Sequence, residues 1–497
     1  MYIIELGASD ERGITVLTTE PARAAESGTV TRRTWLAIAI MLIAVFMELM
    51  DVTMTNVAVP SIRKDLGASG GQLQWIVAGY SLAFAVALMT GGRLGDLWGR
   101  KKMFLGGLAA FTATSLMSGA APSAGFLIAS RVLQGLAAAV LLPQVLASIS
   151  VAFPAGKQRE AAFGLFGGIT GLGGVVAPVV GGSLIGANLF SWSWRPVFLI
   201  NIPIGIIAFA AALRLVPEST APERPRLDLA GALTGALGVF LLVFPVIQGR
   251  ADGWPAWGWV LMALALPVFA AFIAIERRRA MPIADLSLFR RRGFTAGLLV
   301  TLVFFAGVTA TAFVLMIDLQ SGFGYGPVSA GLSLVPLALA LVAGSGISIG
   351  ASRRLGRVIL QAGALIAAGG VTWLAIVTGG HTAVLDIWDI VPPLVVTGLG
   401  LGLTVAPLTD FTQAGVPERS AGSASGAQSA FIQIGNAAGV AVLGAIFFTL
   451  LGGHTDHAHF AGAMRHTLYY AAGVFSAAAV LVFAMAPTTR QNNGGAR

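Results

Sequence analysis

Long apolar runs, each interrupted by a short polar or charged stretch, dominate this chain. They fall at 34–58, 72–91, 103–121, 125–150, 163–186, 196–214, 229–249, 257–276, 295–318, 328–350, 358–379, 389–412, 424–451 and 464–486. A helix rises about 1.5 Å per residue and needs roughly 20 apolar residues to cross a bilayer. Fourteen spanning helices are therefore expected. The pair at 229–276 carries Pro245 and Pro267, and the run at 424–451 has a polar start.

The charges between the runs alternate in density. With the N-terminal tail in the cytoplasm, the inner loops hold nineteen Lys and Arg and the outer loops five: Arg63, Lys64, Arg195, Arg250 and Arg465. This is the positive-inside bias. An even number of helices places both termini inside, and removing one would spoil the pattern. Trp192, Trp194, Trp254, Trp257, Tyr325 and Trp388 fall in the outer loops and are expected to form an interfacial belt.

Composition agrees. Of 497 residues, 56% are hydrophobic and 11% charged, against about 25% charged in a soluble domain. The net charge of +9 sits between the spans, so it needs no nucleic-acid partner. Cysteine is absent, which excludes disulfides and thiolate chemistry. Residues 1–33 lack a signal peptide's basic start and apolar core and are expected to be a tail before a retained first span. Neither a phosphate-binding Gly-x-x-x-x-Gly-Lys-Ser/Thr loop nor any large soluble segment is present. An ion gradient or the substrate's own gradient is then the expected driving force, with no cofactor. His454, His457, His459 and His466 lie in or beside the last outer loop with Asp456 as its carboxylate. A solvated loop is the expectation, with no metal.

Several clusters carry specific chemistry. After the second run stands Gly92-Arg-Leu-Gly-Asp96-Leu-Trp-Gly99-Arg100-Lys101-Lys102. Its glycines suit a turn, and Asp96 and Arg100 can pair across it or cap helix ends. A tight turn bearing positive-inside charge is the plainer alternative. Arg131 lies inside the fourth run with Gln134 and Gly135. A buried arginine is costly and needs a partner or water; otherwise it must snorkel to the outer interface. In the fifth run, Gly171, Gly174, Ala177, Pro178, Gly181 and Gly182 permit close helix packing and a kink.

Here the chain resembles the major facilitator superfamily. The loop pattern Gly-x-Leu-x-Asp-x-x-Gly-Arg-Lys is matched at Gly92, Leu94, Asp96, Gly99, Arg100 and Lys101, with a weaker echo at Gly350–Arg357 that puts Arg353 opposite Asp96. Within the superfamily, the stretches from Glu48 to Pro60, from Trp194 to Gly205 and from Glu276 to Phe289 are similar to fourteen-span drug:proton antiporters. The likeness covers roughly residues 34–450. It implies an all-α fold of two six-helix bundles, 34–216 and 293–486, with two inserted helices at 229–276 and a cytoplasmic tail at 487–497. For function it implies proton-coupled efflux, an antiporter motif at Gly174, Pro178, Gly181 and Gly182, a proton-coupling role for Arg131, and a conformational latch at Gly92, Asp96, Gly99, Arg100 and Lys101. The implied partners are a small-molecule substrate, protons and lipid, in a plasma-membrane protein working as a monomer.

Glu48 and Asp51 share one helical face, and two carboxylates in low dielectric do not both ionise freely. Asp51 is about seven residues from the outer end of its run and Arg131 about six, roughly 10 and 9 Å at 1.5 Å per residue. The two are expected to meet, with Asp51 exchanging between a proton and Arg131 or a cationic substrate; a purely structural pairing is the alternative. Asp51, Gln134, Asp318 and Asn436 are the candidate substrate contacts, and Asp410 a weaker one. The leading expectation is a proton-coupled exporter of amphiphilic or cationic drugs or antibiotics, working by alternating access; the alternatives are a dedicated exporter of a single antibiotic or metabolite and a non-transporting receptor or scaffold. An integral membrane enzyme lacks any nucleophile or metal spacing within the spans.

Overall fold

The computed structural model describes residues 31–153, 156–188, 191–220, 229–251, 253–278, 286–380, 386–414, 416–417, 421–454 and 456–485. The basic residues Arg224, Arg226, Arg279 and Arg419, the side chain of Arg353, and most of both tails lie outside them. Among the described residues there is no strand. The long helices are α1 (Arg32–Leu66), α2 (Gly70–Trp98), α3 (Arg100–Gly119), α4 (Ala124–Ala152), α5 (Lys157–Ala187), α6 (Asn201–Leu215), α7 (Leu229–Ala251), α8 (Ala256–Arg278), α9 (Arg292–Ile317), α10 (Val335–Leu355), α11 (Val358–Gly380), α12 (Ile387–Gln413), α13 (Ala421–Leu451) and α14 (His457–Leu481). Among the described residues, thirteen helices are long and apolar enough to span a membrane; the less apolar α3 completes the expected number. Short helices, Pro196–Leu199 and Pro327–Ser333, lead into α6 and α10, and a π-turn, Asp318–Gly322, ends α9.

Local chemistry sets the ends. Ser69 and Gln72 form a reciprocal capping box at the start of α2, and Asp456 caps α14. Two boundaries differ from the apolar pattern. Helix α1 continues past Pro60 to Leu66, and α14 begins at His457. Polar residues extend both helices beyond the apolar stretch that crosses lipid.

The packing repeats itself. In the first half α1 packs on α5 and α6, α2 on α4, and α3 on α4 and α6. In the second half α9 packs on α13 and α14, α10 on α12, and α11 on α12 and α14. Each pair recurs eight helices later. The contacts are close because small residues line them: a side chain at Gly91 would strike the Ala139 carbonyl, and one at Gly398 the Leu337 carbonyl. The turns repeat as well. Gly99 (φ 104°) links α2 to α3, and Gly356 (φ 55°) links α10 to α11; both are positive φ values that suit glycine. Hairpin α7–α8 stands outside this repeat and packs on α2 and α13.

The side on which α1 begins and α14 ends is the tail side; the opposite one is the far side. The two halves are joined in the far half. Gln74 donates to the carbonyls of Val440 (3.1 Å) and Ala441 (3.2 Å), and Gln320 to that of Val57 (2.9 Å). Gly182 lies against the Pro327 carbonyl and Gly331 against that of Pro178. On the tail side the inner part of α5 is largely exposed, and residues of α2, α13 and the hairpin α7–α8 line a cavity.

One cross-link tests this arrangement. A Cβ placed at Gly186 lies 3.9 Å from the Val328 Cβ, close to the roughly 3.8 Å of a disulfide. Gly186→Cys with Val328→Cys, in a chain without other cysteines, is expected to cross-link under mild oxidation, seen as protease-resistant linkage of the two halves. Failure to cross-link would show that the far-side contact does not form.

Candidate functional site: a charged cluster within the first six helices

Asp51 sits midway along α1, fully buried at 0% exposure. Four side chains from three other helices converge around it. Arg131 of α4, 1% exposed, donates from Nη1 to Asp51 Oδ2 and forms a buried ion pair with it. Gln134 Nε2 and Asn201 Nδ2 both donate to Asp51 Oδ1, at 3.0 and 2.8 Å. Ser115 of α3 accepts from the same two amides, at 2.7 and 3.2 Å. Gln134 Oε1 takes a bond from Arg131 Nη1 at 2.6 Å, and Arg131 Nε donates to the Ile76 carbonyl at 3.2 Å. The guanidinium also lies 4.5 Å from the centre of the Tyr80 ring and 5.6 Å from that of Phe198. Such contacts are strongest where the cation is desolvated.

The local sequence makes the convergence possible. Gly135, next to Gln134, lets α4 press on the Tyr80 carbonyl of α2. Arg131 and Gln134, three apart, then point to one face. One turn toward the tail side, Glu48 accepts a bond from the Tyr80 hydroxyl at 2.6 Å. Glu48 and Asp51 thus share a face yet have different partners.

The other sequence candidates are placed as follows. Asp318, in the π-turn, is 0% exposed, and neither carboxylate oxygen has a hydrogen-bond partner among the described residues. Asn436 accepts from Thr309 (2.6 Å) and donates to Gln433 (3.1 Å), tying α13 to α9. Asp410 is exposed near the tail-side end of α12. On α5, Gly181 rests against Met54 of α1 and Gly182 against Pro327, while Gly174 faces open space.

The loop cluster is ordered but stays inside the first half. Arg100 Nη2 binds Asp96 Oδ1 at 2.8 Å. Lys101 Nζ donates to the Leu213 carbonyl at 2.7 Å, and its backbone N–H to Glu218 at 3.1 Å. Gly92 packs by Pro143, and Gly99 leaves room for Glu218. In this conformation the residues read as a latch between halves hold the α2–α3 turn to the segment after α6.

Three findings lay beyond the sequence reading. Asn201 and Ser115 belong to the cluster; their signal was a polar residue inside an apolar run. Tyr80 partners Glu48. Trp194 is not an interfacial residue: it is 0% exposed, donates to Asp65 at 2.9 Å and packs edge-on against Phe198. On the far side, donor atoms of His454, Asp456 and His459 lie within 4.8 Å of one another, close enough to hold an ion, although all three are exposed. The His459 ring, hydrogen-bonded to Asp456, holds that carboxyl below its usual range.

A polytopic bundle with two repeated halves and a buried ion pair inside one of them is the architecture of a transporter. Residues 41–440 match the family model of the Major Facilitator Superfamily, and the chain belongs to that family. It is 44% identical over 439 residues to the "Probable actinorhodin transporter" of Streptomyces coelicolor, covering 87% of this chain and 76% of that one. It is 37% identical to the "Cephamycin export protein CmcT" of Amycolatopsis lactamdurans, covering 82% and 84%. Among solved structures, a bacterial homologue of the human lysosomal transporter Spinster, inward-facing and occupied, superposes with a TM-score of 0.66 at 16% identity over 91% of this chain and 96% of that one. That likeness is one of fold.

The buried pair makes a stability prediction. Removing one partner of such a pair costs about 3–5 kcal/mol, whereas replacing both with apolar residues is often neutral. Asp51→Ala should therefore markedly lower the melting temperature in detergent, and Asp51→Leu with Arg131→Met should recover most of the loss. Equal destabilisation by the single and double variants would show that the pair is not the dominant interaction there.

Proposed function

We propose that this protein is a proton-coupled efflux transporter of amphiphilic small molecules, working by alternating access in the plasma membrane with both termini cytoplasmic. It acts by moving its two six-helix halves against each other rather than by any chemical conversion. The observation that carries the reading is the buried carboxylate of Asp51, bound at once by Arg131, Gln134 and Asn201. The relatives' names point the same way: actinorhodin transport, cephamycin export.

The geometry suggests how coupling works. Ionised Asp51 neutralises Arg131 and draws α1, α4 and α6 together. A proton on Asp51 cancels the attraction and leaves a buried guanidinium without its counter-charge. In low dielectric that imbalance is large, and rotating Arg131 or admitting water relieves it. Glu48, one turn away, offers the next proton position toward the tail side. Asp318 is buried and unpartnered, which favours a proton-carrying use over direct contact with cargo. The contacts that join the halves on the far side support reading this conformation as one open toward the cytoplasm, where an exporter loads.

A narrower reading, export of a single antibiotic-like compound, is favoured by the dedicated names of the two relatives. Flux of a compound panel through the purified protein separates it from broad export.

Two variants test coupling in proteoliposomes with an imposed pH gradient. Asp51→Asn keeps the shape but not the charge, and should abolish gradient-driven flux; surviving flux with intact proton dependence sinks the assignment. Asp318→Asn should leave the substrate KM within about two-fold, since no cargo contact is lost, while shifting the pH dependence of flux. A large rise in KM at unchanged pH profile would make Asp318 a cargo contact instead.

A further inference from the structure

Outside the charged cluster, the most prominent feature is a cavity of about 890 Å³ in the tail-side half of the bundle. That volume lies within the range of small-molecule sites, roughly 300–1,000 Å³. Its walls come from both halves and from the inserted hairpin: Val86 of α2, Phe431 of α13, Val239 of α7, and Phe269 and Phe272 of α8. Helices α2 and α13 are bonded to each other through Gln74 in the far half, and both line the cavity in the tail-side half. The cavity therefore touches both halves. Its outer wall is α8, whose surface residues Val260, Leu264, Leu266 and Ile273 are exposed as a lipid-facing helix requires.

The charged residues among those that line it are both basic. Arg277, at the tail-side end of α8, and Arg290, just before α9, line the cavity, and both are exposed. Neither side chain has a hydrogen bond or ion pair with any described residue. No Asp or Glu is among the lining residues. The site thus presents an apolar, aromatic body and a cationic rim at the level where the lipid headgroups of the tail-side leaflet lie. A hydrated pair of snorkelling arginines would explain the rim but not the large preformed cavity behind it.

We propose that this cavity is a lateral port that takes an anionic amphiphile from the tail-side leaflet, its apolar part among the phenylalanines and its acidic group against Arg277 and Arg290. The hairpin α7–α8 then has a purpose, since it builds the outer wall of the port. The use of the port in export rests on the transporter reading; the binding itself does not. An acidic aromatic cargo and an anionic lipid share this chemistry.

The test is binding to the full-length protein in phosphatidylcholine nanodiscs, read by native mass spectrometry. The probes are pyrenebutyrate, its neutral partner pyrenebutanol, and phosphatidylglycerol. Arg277→Gln with Arg290→Gln is expected to weaken at least one anionic probe ten-fold or more and leave pyrenebutanol unchanged. Ala236→Phe, at the cavity wall, should weaken both pyrene compounds. Loss of pyrenebutyrate alone identifies the occupant as cargo; loss of phosphatidylglycerol alone identifies it as lipid. Unchanged binding of both anions in the arginine double variant overturns the proposal, as does equal loss of pyrenebutanol in that variant. No proton gradient is used, so a failure of proton coupling and a failure of the port are told apart.

Discussion

A carboxylate and a guanidinium held in contact inside a lipid-embedded bundle constrain everything around them. The ideal cost of bringing each ion from water into low dielectric is of order 20 kcal/mol. Attraction between the two offsets this only when the remaining donors and acceptors are also met. Asp51 and Arg131 satisfy that condition through Gln134, Asn201, Ser115 and the Ile76 carbonyl. These groups come from α1, α2, α3, α4 and α6. The pair therefore fixes how five helices of the first half approach one another, and Gly135 is the residue that lets α4 come close enough.

In the transport cycle proposed above, the same pair is the element that a proton would switch. Its attraction depends on one charge that a single proton removes, and among the described residues no other acid lies within hydrogen-bonding distance of Arg131. The contacts between the halves have the opposite character. They are backbone carbonyls met by Gln74 and Gln320, and glycines lying on carbonyls at Gly182 and Gly331. The seam also holds the Arg63 guanidinium against the Phe448 ring and a shared apolar core. Apart from that guanidinium these contacts are uncharged, so in the proposed cycle the proton acts inside one half and not directly on the seam.

Much of this was legible in the sequence because helices convert residue number into depth. Counting about 1.5 Å per residue put Asp51 and Arg131 at one level, and they do meet. The same counting says nothing about rotation around a helix axis. Asn201 and Ser115 were thus not assigned, and Trp194 falls among the interfacial residues by position when the short helix Pro196–Leu199 turns it inward onto Asp65. The motif at Gly92–Lys101 marked a turn correctly, but which element it holds depends on conformation, and its bonds here go to Leu213 and Glu218. The tail-side cavity had no sequence signature at all, since it is shaped by α2, the hairpin α7–α8, the segment just before α9 and α13, which lie far apart in the chain.

The distribution of charge bears on what is selected and where. The buried acids of the spans differ in their partners: Glu48 is bound by Tyr80, Asp51 by Arg131, and Asp318 has no hydrogen-bond partner among the described residues. A fourth, Glu276, is buried at the tail-side end of α8, next to Arg277. None of the four is among the residues that line the tail-side cavity, where the charged lining residues are Arg277 and Arg290. The proposed proton site and the proposed port thus use separate residues, and α2 belongs to both: it lends Tyr80 and Ile76 to the cluster and Val86 to the cavity. If both proposals hold, movement of α2 is the route by which an occupied cavity would be sensed at Asp51.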